Sequence, residues 1–183
     1  MKKQWVLHSI KILCCVVLLS GLAACSRQEK EETYIENPIV SNLTKTERDL
    51  LTKIGSSGIQ IIKQGMKFTF VIPTDCFFTK ETRALKAHRE KDLDYLAQFL
   101  HQYSNYFAKP KIRISGYTDK VWLAPARDIL SLHYAKTIAE YLTEDGINAR
   151  TILVRGKGAR NPIASNQYPM GTAFNRRVVV VVY

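Results

Sequence analysis

Cysteine is scarce in this sequence. Of its 4 cysteines, Cys14, Cys15 and Cys25 fall within the first 25 residues, and Cys76 is the remaining one. A single thiol forms no internal disulfide, so packing and hydrogen bonding must hold the downstream chain together. Cys76 sits between Asp75 and Phe77-Phe78 with no histidine near it in sequence. A small buried residue at a strand end is therefore expected there, not a nucleophile. His88, His101 and His133 have no metal-ligand spacing with one another or with a cysteine, which argues against zinc. Gly156-Lys157-Gly158-Ala159-Arg160-Asn161 lacks the third glycine of a dinucleotide loop, and the residues after it do not start a helix. No Ser/His/Asp set or carboxylate pair has motif support, so the chain does not read as an enzyme and no cofactor or metal is expected.

What is present begins with a charged, then apolar, N-terminus. Lys2, Lys3 and Lys11 surround or precede an apolar run over 12–22, and Leu22-Ala23-Ala24 follow. That order predicts a secretory signal, too short and wrongly flanked for a stable membrane span. Leu22-Ala23-Ala24-Cys25 resembles the lipobox of bacterial lipoproteins. The resemblance implies cleavage before Cys25 and acylation of its thiol. Several acyl chains, at ~0.8 kcal/mol per buried CH₂, make such an anchor nearly permanent. Ser26, where inner-membrane retention usually requires Asp, implies the outer membrane, with the domain in the periplasm. Residues 1–24 are thus expected to be a lipoprotein signal peptide. Residues 25–45, polar and charged, read as a lipidated flexible tether, and 46–183 as one domain of ordinary size. The formal net charge of +11 falls to +8 without the three leader lysines. Such a surface suits anionic cell-wall or lipid partners rather than nucleic acid, or is simply a soluble basic surface.

Within the domain the hydrophobic period alternates between that of helix and that of strand. A short helix is predicted over 46–54, capped by Thr46 and ended by Gly55 and Gly58. Strands over 59–62 and 67–72 flank a Gln64-Gly65 turn, and Pro73 stops the second. From 80 to 106, Leu85, Arg89, Leu93, Leu96, Leu100 and Tyr103 recur at threes and fours, predicting a long helix closed by Pro110. A strand over 111–116 follows. A second helix is predicted over 127–144, with Ala135, Ile138, Ala139 and Leu142 inward and Asp145-Gly146 at its end. The last strands are predicted over 151–154 and 177–182. The final one is apolar on both faces, so it is covered on both sides or lies mid-sheet. The expected fold is an α/β two-layer sandwich with a hairpin-like start and βαβ crossovers.

Four motifs in order then narrow the reading. They are Gly116-Tyr117-Thr118-Asp119 at a strand end, Leu130-Ser131 with Ala135 on a helix, Gly156-Lys157-Gly158 with Pro162, and Asn175-Arg176-Arg177-Val178. In this order and spacing they resemble the OmpA-like peptidoglycan-binding domain, whose signature runs G-x-T-D, L-S-x-x-R-A, G-x-G-x-x-x-P and N-R-R-V. The likeness covers about residues 66–183. It implies the OmpA C-terminal topology, a βαβαβ core with an extra strand or hairpin. The combination with a lipobox also resembles lipoprotein subunits of Dot/Icm type IVB secretion systems.

The resemblance implies a ligand, the meso-diaminopimelate of the peptidoglycan stem peptide, whose free end carries an ammonium beside a carboxylate. Recognition of a zwitterion needs an acid and a base a few ångströms apart, and an arginine–carboxylate pair gives both energy and geometry. The family's strand-end acid falls on Asp119, beside Thr118; a loop or cap acid is the alternative reading of Asp119. The family's helix arginine falls on Tyr134, which offers one hydrogen bond and no charge. The asparagine seven residues earlier falls on Arg127. On a continuous helix Arg127 shares a face with Tyr134 at ~10 Å along the axis. It either swings toward the ligand carboxylate or is a solvated arginine at a helix start. Of Asn175-Arg176-Arg177, one arginine is implied to line the cleft and the other to brace the loop. Alternation puts the two on opposite faces, and Arg176 is favoured at the site. Thr74, Asp75 and Phe78 match the segment that gives backbone contacts in relatives. Two functional classes follow. One is a wall-binding module tied to the outer membrane by lipid. The other is a structural subunit whose domain has lost wall binding and docks envelope or secretion-system proteins.

Overall fold

Phe68, Phe70 and Ile72 alternate with Lys67, Thr69 and Val71, and that alternation builds one face of the core. The protein's structure, a computed structural model, describes residues 43–80, 82–121 and 123–183. The expected signal segment 1–24, the expected lipidation site Cys25 and the expected tether up to residue 42 lie outside the described residues. Among the described residues no helix is long and apolar enough to cross a membrane.

In chain order the elements are α1 (Lys45–Ser56), β1 (Gln60–Gln64), β2 (Lys67–Pro73), α2 (Thr74–Phe77), α3 (Glu90–Ser104), β3 (Ile112–Tyr117), α4 (Ala124–Glu144), β4 (Ile152–Gly156), α5 (Pro169–Asn175) and β5 (Arg177–Val182). The five strands form one sheet in the order β1-β2-β5-β3-β4. β1 and β2 are an antiparallel hairpin, and β5 is antiparallel to both β2 and β3. β3 and β4 run parallel, joined through α4. This is the expected two-layer α/β sandwich. β5, five valines after Arg177, occupies the middle of the sheet, which explains why its valines are apolar on both faces.

The core sits between the sheet and the long helices. Phe68, Phe70, Phe99 and Tyr103 meet edge-on or offset at ring-centroid distances of 4.9–6.0 Å, arrangements that suit the ring quadrupoles. Leu93, Leu96, Leu100 and Tyr103 of α3 are all buried, as their spacing predicts. On α4 the predicted inner residues Ala135, Ile138, Ala139 and Leu142 are buried.

Four local expectations are corrected. The cap of α1 is Thr44, not Thr46. Thr44 Oγ1 accepts from the Glu47 amide while Glu47 Oε2 accepts from the Thr44 amide at 2.7 Å, a reciprocal capping box. Leu43 before it is 5% exposed and belongs to the core, so the folded unit reaches slightly upstream of residue 46. The helix expected from residue 80 begins only at Glu90, after a 3₁₀ turn at Ala87–Arg89. The described residues between 78 and 86 instead form a closed excursion. Phe78 bridges Leu85, the Thr79 amide donates to Ala84 O, and Thr79 Oγ1 accepts from the Ala84 amide. Hydroxyl-to-backbone bonds of this kind compete with helix. Helix α4 starts at Ala124, with Pro125 in its first turn, not at Arg127. Cys76 is exposed. Pro73 hands the strand over to the one-turn helix α2, so strand alternation ends and Thr74 and Phe77 face inward instead.

Close approach explains two of the motif residues. A Cβ added at Gly116 would stand 1.8 Å from Ser131 O, so α4 can lie against the end of β3 only because residue 116 has no side chain. Ser131 Oγ accepts from the Gly158 amide at 2.9 Å and donates to Asp128 O, locking helix, strand end and following loop together. Gly116→Ala is expected to destabilise the domain by about 3 kcal/mol or more, since backbone rather than a flexible side chain is in the way. Gly55→Ala in α1 meets only an ordinary contact at 3.9 Å. It is expected to be neutral or stabilising by about 0.5–1 kcal/mol. Thermal unfolding of the two variants checks the contrast.

Candidate binding cleft

Three chain segments converge at one end of the sheet: the α2 turn after β2, the Thr118-Asp119 end of β3, and the Arg176 start of β5. Register brings them together. Pro73 pairs with Arg177 across β2 and β5, and Tyr117 pairs with Arg177 across β3 and β5. The Thr74 amide and Thr74 Oγ1 both donate to Arg176 O at 3.1 Å, which pins α2 to the start of β5.

Arg176 is the centre of this junction. Its Nε donates to Asp75 Oδ1 at 2.8 Å, its Nη2 to Asp75 Oδ2, and its Nη1 to Asp119 Oδ2 at 2.6 Å. The first contact is a two-pronged guanidinium–carboxylate fork, the strongest form of ion pair. The two acids, Asp75 foremost, hold the Arg176 guanidinium well above its ordinary range against the opposing effect of burial. Asp119 is only 3% exposed, and its Oδ1 accepts from the Val121 amide at 3.1 Å. Asp119 therefore makes a turn contact, as its loop-acid reading expects, and an internal ion pair at once.

A cleft of about 350 Å³ opens beside this pair, lined by Asp75, Lys80, Arg83, Thr118, Asp119, Val121, Leu130, Tyr134 and Arg176. Thr118 is 3% exposed, and its hydroxyl has no hydrogen-bond partner. A buried hydroxyl left so costs on the order of 1–3 kcal/mol. The Tyr134 ring lies tilted against the buried Phe78 ring, their centroids 4.6 Å apart. Burial first, and Asp75 and Asp119 after it, raise the Tyr134 phenol above its usual range, while Arg83 and Arg176 oppose them. The phenol is accordingly a neutral hydrogen-bond donor at neutral pH. A larger depression of about 460 Å³ lies elsewhere, against Asp94, Gln98, His101 and Asp145. Its ionisable lining is acidic apart from His101, and among the described residues no cluster fit for a metal ion occurs.

Of the residues singled out from sequence, Thr118, Asp119, Tyr134, Asp75 and Arg176 line this cleft. Thr74 and Phe78 support it from beneath. Two residues do not join it. Arg127 borders a separate notch with Lys120, Ala124, Asp128, Ala159 and Arg160, and its Cβ lies against the Gly158 loop. The shared helical face is real, but ~10 Å along the axis is enough to place the first turn beyond the cleft. Asn175 is buried and its amide is fully used. Its Oδ1 accepts from the Ile163 and Ala164 amides at 2.8 and 3.1 Å, and its Nδ2 donates to Ala164 O. It braces the loop before α5 and does not face a ligand. Arg177 is buried as well, stacked 4.1 Å over Tyr117 and donating to Asn175 O and Asn161 O.

Lys80 and Arg83 are cleft residues that the sequence did not single out. Both lie where a helix was expected. Arg83 has φ of +57°, a left-handed conformation uncommon for a residue with a Cβ, and no periodic pattern announces it.

Asn175→Ala would take the partner from the Ile163 and Ala164 amides and from the Ala164 carbonyl, three part-buried bonds, and is expected to cost about 1–3 kcal/mol. The loss should appear as a lower midpoint in urea unfolding and as faster amide exchange at Ile163 and Ala164.

The geometry agrees with kinship. Residues 77–176 match the OmpA family. The probable lipoprotein YiaD of Escherichia coli is 29% identical over 136 residues, covering 74% of this chain and 60% of YiaD. The peptidoglycan-binding protein ArfA of Mycobacterium tuberculosis is 43% identical over 72 residues, covering 39% of this chain and 22% of ArfA. The chain thus spans less than two thirds of the length of either relative. Among solved structures, the cell wall anchor of the T6SS from Pseudomonas aeruginosa shares the fold, with a TM-score of 0.65 at 22% identity over 76% of this chain and 96% of that one. With more than half of its length matched and its strand order, motif glycines and strand-end acid accounted for, the chain belongs to the OmpA family.

Proposed function

We propose that this protein binds peptidoglycan through the Asp119 cleft and is held to the outer membrane by lipid on Cys25. The observation that carries the reading is a nearly buried, ion-paired carboxylate beside an unsatisfied threonine hydroxyl, both lining one cleft. A ligand ammonium compensates the Asp119 charge as well as Arg176 does, and a polar ligand atom completes the Thr118 hydroxyl. The free end of a stem-peptide diaminopimelate supplies both. Support comes also from relatives named as peptidoglycan-binding or as outer-membrane lipoproteins. Two anchors on one chain make even a weak wall contact effective, because the lipid fixes the domain near its ligand.

On this reading the protein ties the outer membrane to the wall and gives an envelope assembly a fixed position. A type IVB secretion system is the assembly we favour, on the combination of lipobox and divergent domain. The competing role, a subunit that only docks protein partners, draws on one specific feature: Tyr134 stands where the family carries its helix arginine.

Sedimentation with purified sacculi distinguishes the two. Asp119→Asn keeps the shape and the acceptor for the Val121 amide but removes the charge. It is expected to lower sacculus binding about tenfold, in line with the ~1.5–3 kcal/mol of a charge-assisted hydrogen bond. Unchanged sedimentation by a folded variant would mean that the cleft is not a wall site. Separately, Cys25→Ser is expected to release the protein from the outer-membrane fraction. Retention of the variant there after a salt wash would show that lipid is not the anchor.

A further inference from the structure

The cleft contains three cations and two acids, and their pairing is uneven. Arg176 is shared between Asp75 and Asp119, with two of its three bonds on Asp75. When a ligand ammonium takes Asp119, Arg176 keeps its fork on Asp75 and its charge stays balanced there. A carboxylate on the same ligand then needs another cation. Helix α4 offers none at this point, because residue 134 is tyrosine. Lys80 and Arg83 are the remaining cations in the lining.

We infer that Arg83, presented by the loop between α2 and α3, is the residue that receives the ligand carboxylate in place of a helix arginine. This rests on the reading of the cleft as a site for a zwitterionic peptide end. Several observations single out Arg83 over Lys80. Its backbone is fixed to α4 immediately beside Tyr134, since His133 Nε2 donates to Arg83 O at 3.3 Å. The loop that carries it is closed at its base by the Thr79–Ala84 and Lys86–Phe77 backbone bonds and the Phe78–Leu85 bridge. The left-handed backbone at residue 83 turns the chain back toward the helix, and strain of that kind persists only where the surroundings over-determine it. Arg83 is half-buried, whereas Lys80 is exposed. Arg83 and Tyr134 line the same cleft, and the Arg83 charge opposes the upward shift of the Tyr134 phenol. Finally, a planar guanidinium fits a carboxylate with two parallel bonds, which an ammonium does not. In this arrangement Tyr134 adds a neutral hydrogen bond next to the Arg83 fork. The cation is moved from the helix to the loop, and the site keeps one acid and one base.

The test uses the purified full chain and two synthetic probes. One is the tripeptide L-Ala-γ-D-Glu-meso-diaminopimelate with its ends free, and the other is the same peptide with the terminal diaminopimelate carboxyl amidated. The wild type is expected to prefer the free peptide by about tenfold. Arg83→Asn, chosen because Asn tolerates the left-handed backbone, is expected to bind both probes alike at the weaker level while remaining folded by circular dichroism. Arg83→Lys should keep part of the preference. Tyr134→Arg should restore the preference in the Arg83→Asn background and add little to the wild type. If the wild type prefers the free peptide and Arg83→Asn retains that preference, Arg83 is not the carboxylate residue, while the cleft reading stands. Failure of Tyr134→Arg to rescue a folded Arg83→Asn chain would also overturn the assignment. If the wild type binds neither probe, the cleft reading itself falls, and the inference with it.

Discussion

A guanidinium held between two carboxylates governs the functional end of this fold. Arg176 joins the turn after β2, through Asp75, to the end of β3, through Asp119, and its own carbonyl receives both donors of Thr74. Three segments far apart in sequence are thereby set within hydrogen-bond distance of one another. Burying a carboxylate at 3% exposure is costly, and the Arg176 guanidinium offsets that cost for Asp119. On the proposed reading the same arrangement prepares the site for exchange, with Asp75 keeping Arg176 in place while a ligand ammonium takes Asp119.

The surrounding structure is arranged so that this junction is rigid. The close approach of Gly116 to Ser131, and the Ser131 hydroxyl bond to the Gly158 amide, leave little freedom at the strand ends. Asn175 and Arg177 hold the loop before α5 from the other side. Much of the four-motif signature is therefore spent on packing. Asp119 and Arg176 meet in the cleft, Thr118 lines it, and the glycines, Ser131, Asn175 and Arg177 keep these residues where they are.

How much of this was legible in the sequence depended on the kind of signal. Strand β5 and the α3 stripe were readable because a run of valines and the spacing of Leu93, Leu96, Leu100 and Tyr103 are periodic facts. The strand-end acid and the division of labour between Arg176 and Arg177 followed from motif order and strand alternation. The segment 78–86 was not legible. Leu85 and Arg89 continue the α3 spacing by coincidence, while Thr79 and Thr82 hydroxyls and a left-handed residue divert the chain. Arg83 was invisible for the same reason, since its position depends on a bond to His133 fifty residues away. Arg127 misled because a shared helical face says nothing about where along the helix a cleft ends. Cys76 misled because Pro73 replaces strand alternation with a single helical turn.

On the proposed reading the Arg176–Asp119 junction exchanges its internal cation for a ligand ammonium. The most direct measurement is a nitrogen-15 NMR titration of the full chain with the free stem tripeptide, following the Arg176 Nε–H and the Thr118 and Val121 amides. The account predicts that these three move together and saturate with one binding constant, while amides near His101 and Asp145 stay still. A saturable shift confined to the His101–Asp145 depression, with the Arg176 side chain unmoved, would contradict it.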